Sequence, residues 1–114
     1  MVYAYTVQMK GGGIMALPYT LDQLQARLTP VFSKNSVRRA TLFGSYSQGK
    51  ATAQSDVDLL VDSGLHGLRF FGLLEDVCSS LECKVDLIDV KDVIPNSKID
   101  QEIQRTGVLI YEQR

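Results

Sequence analysis

The sequence predicts an α+β (α/β) domain, a small mixed β-sheet flanked by helices. Two observations predict it. Segments with helical spacing and segments with strand spacing follow one another in the order α β β α β α β, which is neither an all-helical nor an all-strand pattern. In addition, 114 residues fit one domain, long enough to bury roughly two-thirds of its unfolded surface without staples.

The elements follow in chain order. The opening stretch "MVYAYTVQMKGGGIM" carries a triple glycine, Gly11 to Gly13, and has neither the charged start nor the cleavage site of a signal peptide. Residues 1–14 are expected to be a flexible leader, with the compact domain over 15–114. Thr20 and Gln23 have capping-box spacing, and Leu21, Leu24, Leu28, Val31 and Phe32 recur near helical period, so a helix starts here and Pro30 is expected to kink or end it in its last turn. "VRRATLF" (Val37 to Phe43) and "DVDLLV" (Asp56 to Val61) read as strands that pair as neighbours. Leu68, Phe71, Leu74, Cys78 and Leu81 mark the apolar side of a second helix, with Gly72 a mild weakness in it. "KVDLIDV" (Lys84 to Val90) is a third strand. A short helix follows, capped by Asn96 or Ser97, with Ile99 and Ile103 four apart and Gly107 as its stop. "VLIYE" (Val108 to Glu112) closes the domain as a strand.

The totals set limits on function. A formal net charge of -1 gives none of the basic excess that direct nucleic-acid binding usually requires, and none is expected. No apolar run approaches the ~20 residues that span a bilayer. Cys78 and Cys83 are too few and too close together for a zinc site, so a reducing, cytoplasmic setting is expected. Cys78, on the apolar side of its helix, reads as a packing residue. His66, between Gly64 and Gly67, reads as a turn or surface residue.

The stretch "LFGSYSQGKAT" comes near a phosphate-binding P-loop, with four residues between Gly44 and Gly49-Lys50. Ala51, however, stands where a P-loop needs the hydroxyl that holds magnesium, and the loop runs into a strand pattern instead of a helix N-terminus. Gly44 nonetheless lets backbone approach phosphate closely, and Ser45 offers a hydroxyl and an N–H to it.

Side chains alternate across a strand, so Asp56 and Asp58 share one face while Val57, Leu59 and Val61 share the other. In "KVDLIDV" the same alternation buries Val85 and Leu87 and turns Asp86 toward the face of Asp56 and Asp58. Three converging carboxylates repel one another unless one stays protonated or a cation joins them. Mg²⁺ prefers hard oxygen ligands and is typically held by one or two carboxylates together with substrate phosphates. The plainer reading is that these are aspartates of a solvated strand face, as Asp62 and Asp89 are expected to be. A calcium loop fits less well still, because Leu60 and Val61 fall at its fifth and sixth positions counted from Asp56, where a polar ligand and a glycine are needed.

Taken together, "LFGSYSQGKATAQSDVDLLV" resembles the G-S-(x)n-S-D-x-D-L signature of the nucleotidyltransferase superfamily related to DNA polymerase beta, and "VDLID" supplies the third carboxylate. From about Leu21 to Glu112 the chain is similar to the minimal nucleotidyltransferases, the MntA-like antitoxins usually encoded beside HEPN-domain toxins. The resemblance implies a nucleotidyltransferase-like sheet. Asp56, Asp58 and Asp86 would be the catalytic residues and Mg²⁺ ligands, Asp86 also taking the acceptor's proton, and Gly44, Ser45 and Lys50 the nucleotide-binding residues. Members often carry arginine in this loop, where the chain has Tyr46 and Gln48, and Lys50 would replace that charge in part.

The activity implied is transfer of AMP from ATP to a hydroxyl of a partner protein, an antitoxin AMPylating a HEPN-domain toxin, usually on tyrosine. Two alternatives stay open. One is a small-molecule nucleotidyltransferase of the aminoglycoside-modifying kind, which would build its acceptor pocket by oligomerising. The other is a catalytically silent antitoxin that acts by contact alone.

Overall fold

A computed structural model describes residues 18–113 and the backbone of Tyr5–Val7. Tyr5–Val7 form a short strand, β1, so three residues of the expected leader are strand; the rest of residues 1–14 lies outside the described residues. Helix α1 (Leu21–Lys34) starts where the capping box places it: the Gln23 N–H donates to Thr20 Oγ1 at 3.1 Å and the Thr20 N–H to Gln23 Oε1 at 2.9 Å. Pro30 lies inside this helix and does not end it. The chain then forms β2 (Arg39–Phe43), β3 (Val57–Asp62), α2 (Gly67–Leu81), β4 (Val85–Asp89), a 3₁₀ turn (Val90–Asp92), α3 (Lys98–Thr106) and β5 (Val108–Glu112). Ser97, not Asn96, caps α3, accepting from the Asp100 N–H at 3.2 Å.

The five strands form one mixed sheet in the order β1-β4-β3-β2-β5. β3 and β4 run parallel, with α2 as the crossover between them, and the other neighbours are antiparallel. β2 and β3 pair as their sequence adjacency predicts.

One face of the sheet is sealed by α1 and α2. Val57, Leu59, Val61, Val85 and Leu87 meet Leu24, Leu28, Phe32, Leu73, Leu74 and Val77 there, every one of them at 0% exposure. The buried stripe of α2 differs from the expected one. Phe70, Leu73, Leu74, Val77, Cys78 and Leu81 are buried, whereas Leu68 is 90% and Phe71 42% exposed. This helix has apolar residues on most of its circumference, and packing on the sheet selects the stripe that periodicity alone does not. Cys78 is buried as expected, and His66 is an exposed residue at the helix start.

Asp89 also departs from its expected solvated position. It is 1% exposed, because the alternation that buries Val85 and Leu87 carries it to the same face. Its carboxylate is satisfied there by the Ser63 hydroxyl and N–H and by the Lys91 N–H at 3.1 Å, so it ties the end of β3 to the 3₁₀ turn. Asp62 stays on the opposite face, 3.9 Å from Arg38. No helix among the described residues is long and apolar enough to cross a membrane.

Candidate active site

The uncovered face of the sheet carries the polar alternates of the core strands. Parallel pairing of β3 with β4 sets Asp58 directly opposite Asp86. Strand parity alone predicts only that they share a face; the register adds that they are neighbours. Two carboxylates so close oppose each other's ionisation, and the Asp58 pKa rises to about 7. Burial is the main cause, followed by the charge and hydrogen bond of Asp86, then the charges of Asp56 and Glu102. Asp56 sits just before β3, near enough for its charge to reach Asp58, and pairs with Lys84 at 3.7 Å.

The glycine-serine turn leaves β2 beside this pair. Phe43 is in register with Asp58, so Gly44 follows at the edge of the carboxylate site. Gly44 has φ +75°, and a Cβ there would collide with Asp58 Oδ2. Two requirements therefore fall on one residue: a left-handed backbone and room for a carboxylate. The turn closes on itself through the Gln48 and Lys50 N–H groups, which donate to the Ser45 carbonyl at 3.2 and 3.0 Å, while the Ser47 hydroxyl donates to the Gly44 carbonyl at 2.7 Å. Lys50 is exposed on the rim. The turn enters β3, not a helix, which settles against a P-loop architecture.

Two residues from α3 join the site that the sequence did not point to. The buried Thr106 hydroxyl accepts from the Gly44 N–H at 3.0 Å and donates to the Glu102 carbonyl at 2.8 Å. The Glu102 carboxylate adds to the field on Asp58 and meets Arg105 at 2.5 Å. The available signal was their spacing, i and i+4 on one helix face in the turn that ends at Gly107. Along the same sheet face, past Asp58, lies a mainly apolar recess of about 300 Å³ between Leu60, Val90, Val93, Pro95 and Ile103, with Asp100 also on its wall.

Among the described residues, no three acidic, histidine or cysteine side chains form a ready-made metal cluster. The Asp58–Asp86 pair nonetheless fits Mg²⁺. Two adjacent carboxylates, one of them with its ionisation opposed by burial and by the other's charge, are the donors a divalent cation would relieve, and such an ion takes its remaining ligands from water and phosphate.

A glycine-serine turn set against an aspartate pair on adjacent parallel strands, on the open face of a helix-backed mixed sheet, is the arrangement of a nucleotidyltransferase domain. The chain belongs to the polymerase beta nucleotidyltransferase family, whose model matches residues 26–114. Among curated relatives, the candidate protein adenylyltransferase MJ0128 of Methanocaldococcus jannaschii is 36% identical over 80 residues, covering 68% of this chain and 79% of that protein. A shorter match, to MJ0435 of the same organism, is 34% identical over 44 residues, 39% of this chain, and spans 47% of that protein. Among solved structures, a toxin–antitoxin complex with AMP-PNP holds a chain 25% identical, with TM-score 0.65 over 79% of this chain and 74% of that one. A candidate minimal nucleotidyltransferase is 27% identical at TM-score 0.65, over 79% of this chain and 95% of that one. The fold is shared as well with a chain, 21% identical and at TM-score 0.61, from the complex of a tri-AMPylated Shewanella oneidensis HEPN toxin with its MNT antitoxin, over 82% of this chain and 74% of that one.

Proposed function

We propose that this chain transfers AMP from ATP to a hydroxyl of a partner protein in a Mg²⁺-dependent reaction, and that it is the antitoxin of a HEPN-domain toxin. The observation that carries the chemistry is the Asp58–Asp86 register pair set against the Gly44 turn. The names of the curated relatives and the AMP-PNP complex support the donor and the protein acceptor.

Asp58 and Asp86, with Asp56 beside them, are the residues that would hold Mg²⁺. When bound, the ion would neutralise the phosphates and the charge that develops on them. Gly44 admits the triphosphate to the backbone, and Ser45 and Lys50 donate to its outer oxygens. An in-line displacement places the departing pyrophosphate on the Gly44–Ser45 side and the incoming hydroxyl on the opposite side. Asp86 accepts that hydroxyl's proton as its oxygen bonds to the α-phosphorus; the bridging P–O bond breaks and its electron pair leaves with pyrophosphate.

The test is intact-mass spectrometry of the HEPN-domain protein that this reading predicts to be encoded beside the chain, after incubation with the chain, Mg²⁺ and ATP. Mass steps of one AMP, absent with Asp58→Asn, are expected. A stable complex with no mass step would overturn the enzymatic reading in favour of neutralisation by contact.

A further inference from the structure

A nucleoside triphosphate brings several negative charges to a site already built from carboxylates, so cations must come from somewhere close. The turn between β2 and β3 has one, Lys50, and it is exposed on the rim. Lys84 is engaged with Asp56 at 3.7 Å. The C-terminal turn of α3 offers another cation. Thr106 ties that turn to the Gly44 N–H at 3.0 Å, and the residue before it is Arg105. The Arg105 guanidinium rests on Glu102 at 2.5 Å, and the Glu102 carboxylate stands within the electrostatic field of Asp58. Arg105 is therefore held near the Gly44 turn by its pair with Glu102, with 63% of its side chain exposed.

We propose that Arg105 is a nucleotide-binding residue that Glu102 holds in waiting and that moves onto the outer phosphates of the triphosphate when it arrives. This rests on the nucleotidyltransferase reading above. An exposed ion pair such as Glu102–Arg105 contributes little on its own, so exchanging it costs little. A guanidinium presents a planar fork that matches two phosphate oxygens at once, and a polyphosphate carries more charge than the carboxylate it would replace. Glu102 has a second effect: its own charge opposes the incoming phosphates, so its pairing with Arg105 sets how much nucleotide the site accepts.

The experiment is calorimetric titration of the full chain with ATP and, separately, with AMP, both with Mg²⁺ and at fixed ionic strength. Arg105→Ala is expected to weaken ATP binding about tenfold while leaving AMP binding unchanged, because only the outer phosphates lose a partner. Arg105→Lys should lose less, and Glu102→Gln should tighten ATP several-fold. Thermal melts confirm that each variant is folded, and Arg105→Lys stands in should Arg105→Ala melt early. ATP affinity unchanged in Arg105→Ala, or ATP and AMP weakened equally, would overturn the inference while leaving the nucleotidyltransferase reading in place. Failure of the unaltered chain to bind ATP would overturn both.

Discussion

The two faces of the central sheet are made from the same residues taken alternately, yet they do opposite work. On the helix-covered face Val57, Leu59, Val61, Val85 and Leu87 are wholly excluded from water. On the other face Asp58 and Asp86, interleaved with them, stand side by side in a half-buried site that raises the Asp58 pKa. The sealed face supplies the stability that lets the open face hold like charges together. A strand thus presents a packing face and a carboxylate face at once, because successive side chains point to opposite sides.

The sharpest break in this comparison comes from two adjacent residues. Asp58→Asn removes a carboxylate from the open face and is expected to reduce nucleotide transfer about a thousand-fold or more, ~4 kcal/mol of lost transition-state stabilisation. Its melting temperature should hold or rise, since a repelling charge is gone. Leu59→Ala, one residue along, opens a cavity in the sealed face and should cost about 2–5 kcal/mol of stability. Denaturant melts and single-turnover assays on the folded fraction would separate the two. An Asp58→Asn chain that unfolds, or that transfers AMP normally, would show that the faces are not divided in this way.

Gly44→Ala tests the junction between the turn and the carboxylates. At φ +75° an alanine costs about 1–2 kcal/mol in backbone strain, and its methyl would also displace the Asp58 carboxylate. Activity should therefore fall further than stability does. Equal losses would mean that the turn matters only as a turn.

How much of this was legible beforehand depends on the range of the forces involved. The start of α1, the limits of β5 and the parity of Asp58 and Asp86 are local properties, written in a capping box, a run of strand formers and an alternation. The one-to-one register of Asp58 with Asp86 is not local, because it is set by how the α2 crossover lays β4 beside β3. β1 was missed for a similar reason: three residues become a strand by pairing with β4, not through any pattern of their own. The exposed Leu68 and Phe71 show the ambiguity of a helix that is apolar nearly all round. Asp89 shows a carboxylate buried because Ser63 and Lys91 satisfy it, a pairing across 26 residues in the first case. Glu102 and Thr106 join the site only through the packing of α3 on β2.

The smallest effect is in the pH dependence of stability without added metal. The Asp58 pKa of about 7 in the folded chain lies above the ordinary carboxylate value near 4 expected on unfolding. Between those values the folded chain holds a proton that the unfolded chain releases, so this group's contribution to stability is complete below about pH 4 and declines as pH rises toward 7. Above that it is lost and the curve flattens. Thermal melts of the metal-free chain should show this decline, and Asp58→Asn should flatten it. Mg²⁺ competes with the proton on Asp58, so it should raise the melting temperature more at pH 8 than at pH 5. If the slope survives in Asp58→Asn, the titration belongs elsewhere, and the open face would not be where charge opposes folding.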